Sequence, residues 1–377
     1  MIGSFLLKCK AVPVPLTLLE PQAHPNAKCL DGSPGGYYAQ EATDNESKNK
    51  WVIYLMGGGE CDTEDYCVEQ SQTKYGSSNF FKSTWDSSQY ISYIASDNCQ
   101  DNPEFCTWNK VTNPYCSQDM HSGQVTTPTE KTWGLYFAGH FINEAILDEM
   151  DMFANKLIDA TDIIILGASA GGIGTWMHLD YIAERYPQAR VSGLTVAGHY
   201  FYANYYTGPD TTTDMELADF TEEGWEYAYD LYNSFVDESC KVAYENANKS
   251  PSACMISSYS QPYVMSDVYV VQSQTDSVVL RYHDNWPEDH MLDEPEQAYM
   301  REWHQNMTTS LDPLLNSSRN GVFAAACYTH TDFLATSPNI NGVGFMEAFT
   351  TFYYNQTASN GFNFADDCGE MCNPSCV

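Results

Sequence analysis

The stretch Ile163-Ile164-Ile165-Leu166-Gly167-Ala168-Ser169-Ala170-Gly171-Gly172 constrains the fold of this chain more than any other. A β-branched run enters a Gly-x-Ser-x-Gly turn, and apolar residues at helical spacing follow it. A serine at a sharp strand-to-helix turn needs small residues two positions before and after it, because side chains there would collide where strand and helix cross. The helix that leaves the turn aims its positive end at the serine and stabilises negative charge developing there. Gly167, Ser169 and Gly172 do not supply the G-x-G-x-x-G spacing of a dinucleotide-binding turn, and no Walker lysine is present. The turn predicts a nucleophile, Ser169, with the backbone N–H of Ala170 as one donor to an oxyanion.

The rest of the chain agrees with such a turn. Trp51–Met56, Asp162–Leu166, Val268–Val271 and Gly321–Cys327 are short apolar runs that fit strands buried on both faces. Phe141–Leu157 and Gly174–Tyr186 have helical spacing, and Pro187 stops the second. This alternation predicts an α/β class: an α/β-hydrolase-like fold with a mostly parallel central sheet flanked by helices, binding ligands at the carboxyl ends of the strands. Cys61–Thr132 and Tyr200–Pro262 are rich in Asn, Ser, Asp, Tyr and Cys; they read as disulfide-pinned loops and a partly helical insertion. No repeat or linker divides the chain. Residues 29–377 are expected to form a single catalytic domain. Residues 1–28, where Lys8, Lys10, Pro13 and Pro15 interrupt the apolar residues, are expected to be a separate N-terminal segment: either the start is mis-assigned or truncated, or the segment is the remnant of an atypical leader.

In this architecture an acid and then a histidine follow the serine. Of His199, His283, His290, His304 and His330, which lie well past the serine, His330 directly follows the apolar run Gly321–Cys327, which places it in a loop at a strand end. His290 and His304 lie in acidic, helix-like sequence and are read as solvated, and His283 is too near the best acid to occupy a separate loop. That acid is Asp276, just past the β-rich run from Asp267; Asp332 and Asp267 are the fallbacks. Its role would be to hold the imidazole tautomer and stabilise the imidazolium. Met56-Gly57-Gly58-Gly59-Glu60-Cys61 follows the first strand. Consecutive glycines let backbone N–H groups turn toward a small anionic centre, so Gly58 and Gly59 are expected to complete the oxyanion hole.

Composition narrows the setting. The chain has 377 residues, 43% of them hydrophobic, enough for a large core. Thirteen cysteines fall in close sets (Cys61 and Cys67, Cys99 and Cys106, Cys240 and Cys254, then Cys368, Cys372 and Cys376) without a histidine cluster at zinc-finger spacing. Disulfides are favoured over metal, and a secreted setting follows. Cys9 is expected to be the odd thiol. Sequons at Asn45, Asn248, Asn306, Asn316 and Asn355 agree with export. Fifty acidic residues against 17 basic ones give a net charge of −33, which opposes nucleic acid and other polyanions. No run approaches the roughly 20 apolar residues of a membrane span. No cofactor or metal is expected, and the oligomeric state is left open.

With these residues assembled, the chain resembles the pectin acetylesterase/Notum family of serine esterases from Cys29 to Cys376. The resemblance lies in Cys29-Leu30-Asp31-Gly32-Ser33-Pro34-Gly35-Gly36-Tyr37-Tyr38, Gly57-Gly58-Gly59-Glu60-Cys61, Trp108-Asn109-Lys110-Val111, Tyr115-Cys116-Ser117-Gln118-Asp119, Leu135-Tyr136-Phe137-Ala138-Gly139, Gly167–Gly172 and Ala326-Cys327-Tyr328-Thr329-His330. It implies an α/β-hydrolase-like fold and metal-free removal of an acyl group from an ester. Ser169, Asp276 and His330 fall on the family's triad positions, and Gly58, Gly59 and Ala170 on its oxyanion positions. Met56 and Glu60 depart from the plant-type Glu-Gly-Gly-Gly-Trp-Cys pattern, which implies a reshaped acyl pocket. Tyr115–Gly123 is closer to Notum, and the acidic residue usual before Ala197-Gly198 is missing. The expected substrate is an O-acetylated glycan or small acetyl ester. Two alternatives stand beside it: a deacylase removing a fatty acyl group from a lipidated protein, and a non-catalytic, disulfide-rich binding protein. A peptidase is less supported.

Overall fold

A computed structural model describes residues 13–86, 93–209, 211, 217–218, 220–287, 293–354 and 361–376. Its strands are β1 (Val14–Leu18), β2 (Gly36–Gln40), β3 (Lys50–Leu55), β4 (Thr84–Trp85), β5 (Asn109–Asn113), β6 (Asp162–Ala168), β7 (Arg190–Val196), β8 (Asp267–Asp276), β9 (Gly321–Thr329), β10 (Asn339–Ile340), β11 (Val343–Gly344) and β12 (Phe364–Ala365). All but β10 and β11 join one ten-stranded sheet in the order β12-β9-β8-β7-β6-β3-β5-β2-β1-β4. Neighbours from β12 to β5 run parallel, and β2, β1 and β4 extend the sheet antiparallel. β1 comes from within residues 1–28 and pairs with β2.

The unbroken apolar runs are explained by burial on both faces. Trp51, Ile53, Leu55, Ile163 and Ile165 face one core with Ile142, Trp176 and Met177 from the helices Gly139–Asp151 and Ala170–Arg185. Val52, Tyr54, Ile164 and Leu166 face a second core with Phe345 and Phe349 from the helix Phe345–Tyr354. Successive side chains on a strand point to opposite faces, so a run feeding two cores must be apolar throughout.

The helix predicted over Phe141–Leu157 occupies Gly139–Asp151 instead. Beyond its cap at Met152, Phe153 still packs on Trp51, their ring centroids 5.9 Å apart, so the apolar spacing outlasts the helix. The Cys61–Thr132 region holds the central strand β5 as well as loops. In Tyr200–Pro262 the helices Glu222–Tyr232, Glu238–Asn246 and Ser257–Ser260 form, with a Cys240–Cys254 disulfide.

Three further close pairs are bonded as spaced: Cys61–Cys67, Cys99–Cys106 and Cys368–Cys372. Cys29–Cys116 and Cys327–Cys376 join distant segments. Cys9 and the Asn355 sequon lie outside the described residues; Asn45, Asn248, Asn306 and Asn316 are exposed. Among the described residues no helix is long and apolar enough to cross a membrane.

Candidate active site

The carboxyl ends of neighbouring parallel strands assemble the site. β3 leads into Gly57–Gly59, β6 into Ser169, β8 ends at Asp276 and β9 leads into His330. Ser169 takes φ 56° and ψ −128° before the helix Ala170–Arg185, a backbone conformation that a non-glycine residue holds only when its surroundings enforce it. They do so by contact. A Cβ on Gly167 would overlap Gly171 O, one on Gly171 would overlap Leu55 O, and Gly172 packs against Gly198. Ser169 N–H donates to Val196 O at 2.9 Å, tying the turn to β7.

His330 Nε2 lies 2.8 Å from Ser169 Oγ, and His330 Nδ1 lies 2.9 and 2.8 Å from the two carboxylate oxygens of Asp276. With Nδ1–H donating to the carboxylate, Nε2 is left to accept the serine proton. Asp276 is fully buried while the His330 side chain is 13% exposed, so the imidazole is the accessible member of the pair. A register shift between β8 and β9 at Ser273/Thr275 re-aims the strand just before Asp276. Its Oδ1 accepts from the N–H groups of Val278 and Val279, and its Oδ2 from Tyr200 Oη at 3.1 Å and Gln272 Nε2 at 3.3 Å. Burial pushes the Asp276 pKa up, but the His330 charge and these hydrogen bonds outweigh it and hold the carboxyl below its usual value. Tyr200 and Gln272 were not anticipated. The signal was there once β7 is seen as a strand, since Tyr200 then lies just past a carboxyl end.

The fallback acids sit elsewhere. Asp267 begins β8 at the opposite end of the strand, 3.9 Å from Arg319 Nε, and Asp332 accepts from Thr329 Oγ1 at 3.3 Å. Among the other histidines, His199 is buried between Ser257 and Ser310. His304, expected to be solvated, is half-buried and lies 2.8 Å from Gln274 Oε1, because its helix packs along β8 and β9. His290 lies outside the described residues.

Gly58 and Gly59 take φ 159° and 72°, the second in the region that favours glycine. Their N–H groups and that of Ala170, the first residue of its helix, make no hydrogen bond to another described residue. Glu60, directly after them, is buried with Oε1 3.3 Å from His283 Nδ1. Burial, then the charge of Asp62, raises its pKa to about 8 against a lowering by the Ala218 N–H, so near neutral pH this carboxyl is protonated. Among the described residues no group of three or more His, Cys, Asp or Glu converges as metal ligands would.

A doubly wound sheet with a strained serine at a strand-to-helix turn, a histidine within hydrogen-bond reach and a glycine loop beside it is the architecture of serine hydrolases of the α/β-hydrolase type. The chain belongs to the family described as Pectinacetylesterase, whose model matches residues 7–377. Pectin acetylesterase 5 of Arabidopsis thaliana is 27% identical over 383 residues, spanning 93% of this chain and 82% of that one. Palmitoleoyl-protein carboxylesterase notum1' of Xenopus laevis is 28% identical over 368 residues, spanning 92% and 72%. The solved structure of the Wnt deacylase Notum from Drosophila shares the fold, with a TM-score of 0.80 at 23% identity, covering 97% of this chain and all of that one. The protein is a carboxylic-ester hydrolase.

Proposed function

We propose that this hydrolase removes acetyl groups from O-acetylated glycans or small acetyl esters through an acyl-enzyme on Ser169. The observation that carries the reading is the unbroken hydrogen-bond line from Ser169 Oγ through His330 to Asp276. Ser169 Oγ attacks the ester carbonyl as its proton passes to His330 Nε2, and Asp276 stabilises the imidazolium. The tetrahedral oxyanion is held by the N–H groups of Gly58, Gly59 and Ala170. Collapse expels the alcohol, which takes the proton from His330. Water, deprotonated by the same nitrogen, then releases the acid.

The chain from β1 onward would carry this chemistry as one catalytic domain, since β1 joins the central sheet from within the segment set apart as residues 1–28, ahead of 29–377. The six disulfides and four exposed sequons among the described residues support an extracellular setting. A second reading, removal of a fatty acyl group from a lipidated protein, is supported by the likeness to palmitoleoyl-protein carboxylesterases. Assay on p-nitrophenyl acetate, butyrate and octanoate beside Ser169→Ala decides among them. The expected outcome is fastest turnover of the acetate and a loss of about 10³-fold or more in the folded variant. Preference for octanoate would favour the second reading, and Ser169-independent activity would sink both.

A further inference from the structure

The loop between β5 and Gly123 adopts an expensive conformation. Tyr115, Gln118, Met120 and His121 all have positive φ, at 40°, 52°, 55° and 63°, and all are buried. L-residues with bulky side chains avoid this region, and clusters of them mark places where strain serves a site. Here three of the side chains converge on one target. His121 Nε2 donates to Met56 O at 2.8 Å, Gln118 Nε2 to Gly58 O at 2.9 Å, and Tyr115 Oη to Gly59 O at 2.8 Å.

Those acceptors are carbonyls of the glycine loop. In a planar trans peptide the C=O and N–H point in opposite directions. Gly58 C=O and Gly59 N–H belong to the same peptide, so the hydrogen bond from Gln118 sets where Gly59 N–H points. His121 does the same for the Met56–Gly57 peptide and Tyr115 for the Gly59–Glu60 peptide. Glycine has no side chain to limit its dihedrals, so the loop must be held from outside.

The grips are themselves fixed. Tyr115 Oη accepts from Met120 N–H at 2.8 Å, and Gln118 O accepts from Cys61 N–H at 3.2 Å. Burial pushes the His121 pKa down to about 3, so the ring is neutral; its Nδ1 faces Asn113 Nδ2 at 3.4 Å while Nε2 carries the proton. Gln118 Oε1 is buried without a hydrogen bond among the described residues. An apolar side chain of the same length would avoid that unpaired oxygen, so the amide's contribution lies in its donor.

We propose that Gln118, flanked by Tyr115 and His121, is a positioning residue for the oxyanion hole, holding the Gly58–Gly59 peptide so that Gly59 N–H faces the developing oxyanion. This rests on the assignment of Gly58, Gly59 and Ala170 as oxyanion donors. The donor on Gly58 O also polarises the peptide and strengthens the N–H at its other end.

Gln118→Met keeps the length and removes the donor, and Tyr115→Phe removes a single oxygen. Each is measured for kcat and KM on p-nitrophenyl acetate, for affinity toward a trifluoromethyl ketone that adds to Ser169, and for its thermal midpoint. Gln118→Met is expected to lower kcat about 10- to 100-fold, short of the roughly 10²–10³-fold for a deleted oxyanion donor. KM should stay within about twofold, and ketone affinity should fall by the same factor as kcat. Tyr115→Phe should show the same pattern at about three- to tenfold and keeps the test open if Gln118→Met does not fold. Wild-type kcat in both variants overturns the proposal, as does a fall in kcat that leaves ketone affinity untouched. A wild-type enzyme without Ser169-dependent activity defeats the underlying assignment as well, which separates the two failures.

Discussion

Glu60 makes the residue scale chemically interesting. Its carboxyl is buried directly after the glycine loop with its pKa raised from 4.5 to about 8. Protonated, it adds no charge beside a developing oxyanion; ionised, it would oppose that charge. Because the folded value lies above the unfolded one, its contribution to stability is complete below about pH 4.5 and is lost as pH rises toward 8. Glu60→Gln mimics the protonated form. Urea unfolding of this variant should show a smaller loss of stability between pH 5 and 8 than the wild type, and its kcat should resist decline above pH 8. Wild-type slopes in both profiles would mean that the carboxyl is already ionised at neutral pH. The sequence marked Glu60 as a departure but could not reveal its burial, which depends on the contacts with His283 and Ala218.

At the scale of elements, β5 exposes the boundary of what the sequence discloses. Asn109-Lys110-Val111-Thr112-Asn113 is buried throughout in a central position, yet it has almost no apolar character. Its polar groups are consumed internally. Asn109 Nδ2 donates to Ser47 O, Lys48 O and Lys50 O at 3.2, 2.9 and 2.9 Å, and Lys110 Nζ donates to Cys106 O and Trp108 O. Hydrophobic periodicity cannot report a strand whose burial is compensated this way. Asn109→Ala strips these acceptors of their donor and should cost about 3 kcal/mol or more in chemical denaturation; a loss under about 1 kcal/mol would show that water replaces the amide. β3, β6, β8 and β9 were legible because each feeds two cores, and Ser169 and His330 were legible because local signals flank them. Gln118 and Tyr200 act through contacts that span distant parts of the chain, 60 and 76 residues away, and no local pattern carries those.

For the molecule as a whole, a net charge of −33 means that folding compresses strong self-repulsion. Added salt screens it, so the thermal midpoint should rise as NaCl is increased from low to moderate concentration, as scanning calorimetry would record. A falling midpoint would show that local ion pairs, such as Arg185 with Asp148 and Asp151, outweigh the repulsion. Covalent links oppose the same expansion, and Cys29–Cys116 closes a span of 87 residues up to the loop that grips the glycine backbone. Cys327–Cys376 fastens β9 just ahead of His330. The ribosome adds Cys376 after Ser169, Asp276 and His330, and the bond forms only where thiols are oxidised. The fold thus carries a clock: the strand that delivers the imidazole cannot receive its staple until synthesis has passed Cys376 and the chain has met an oxidant.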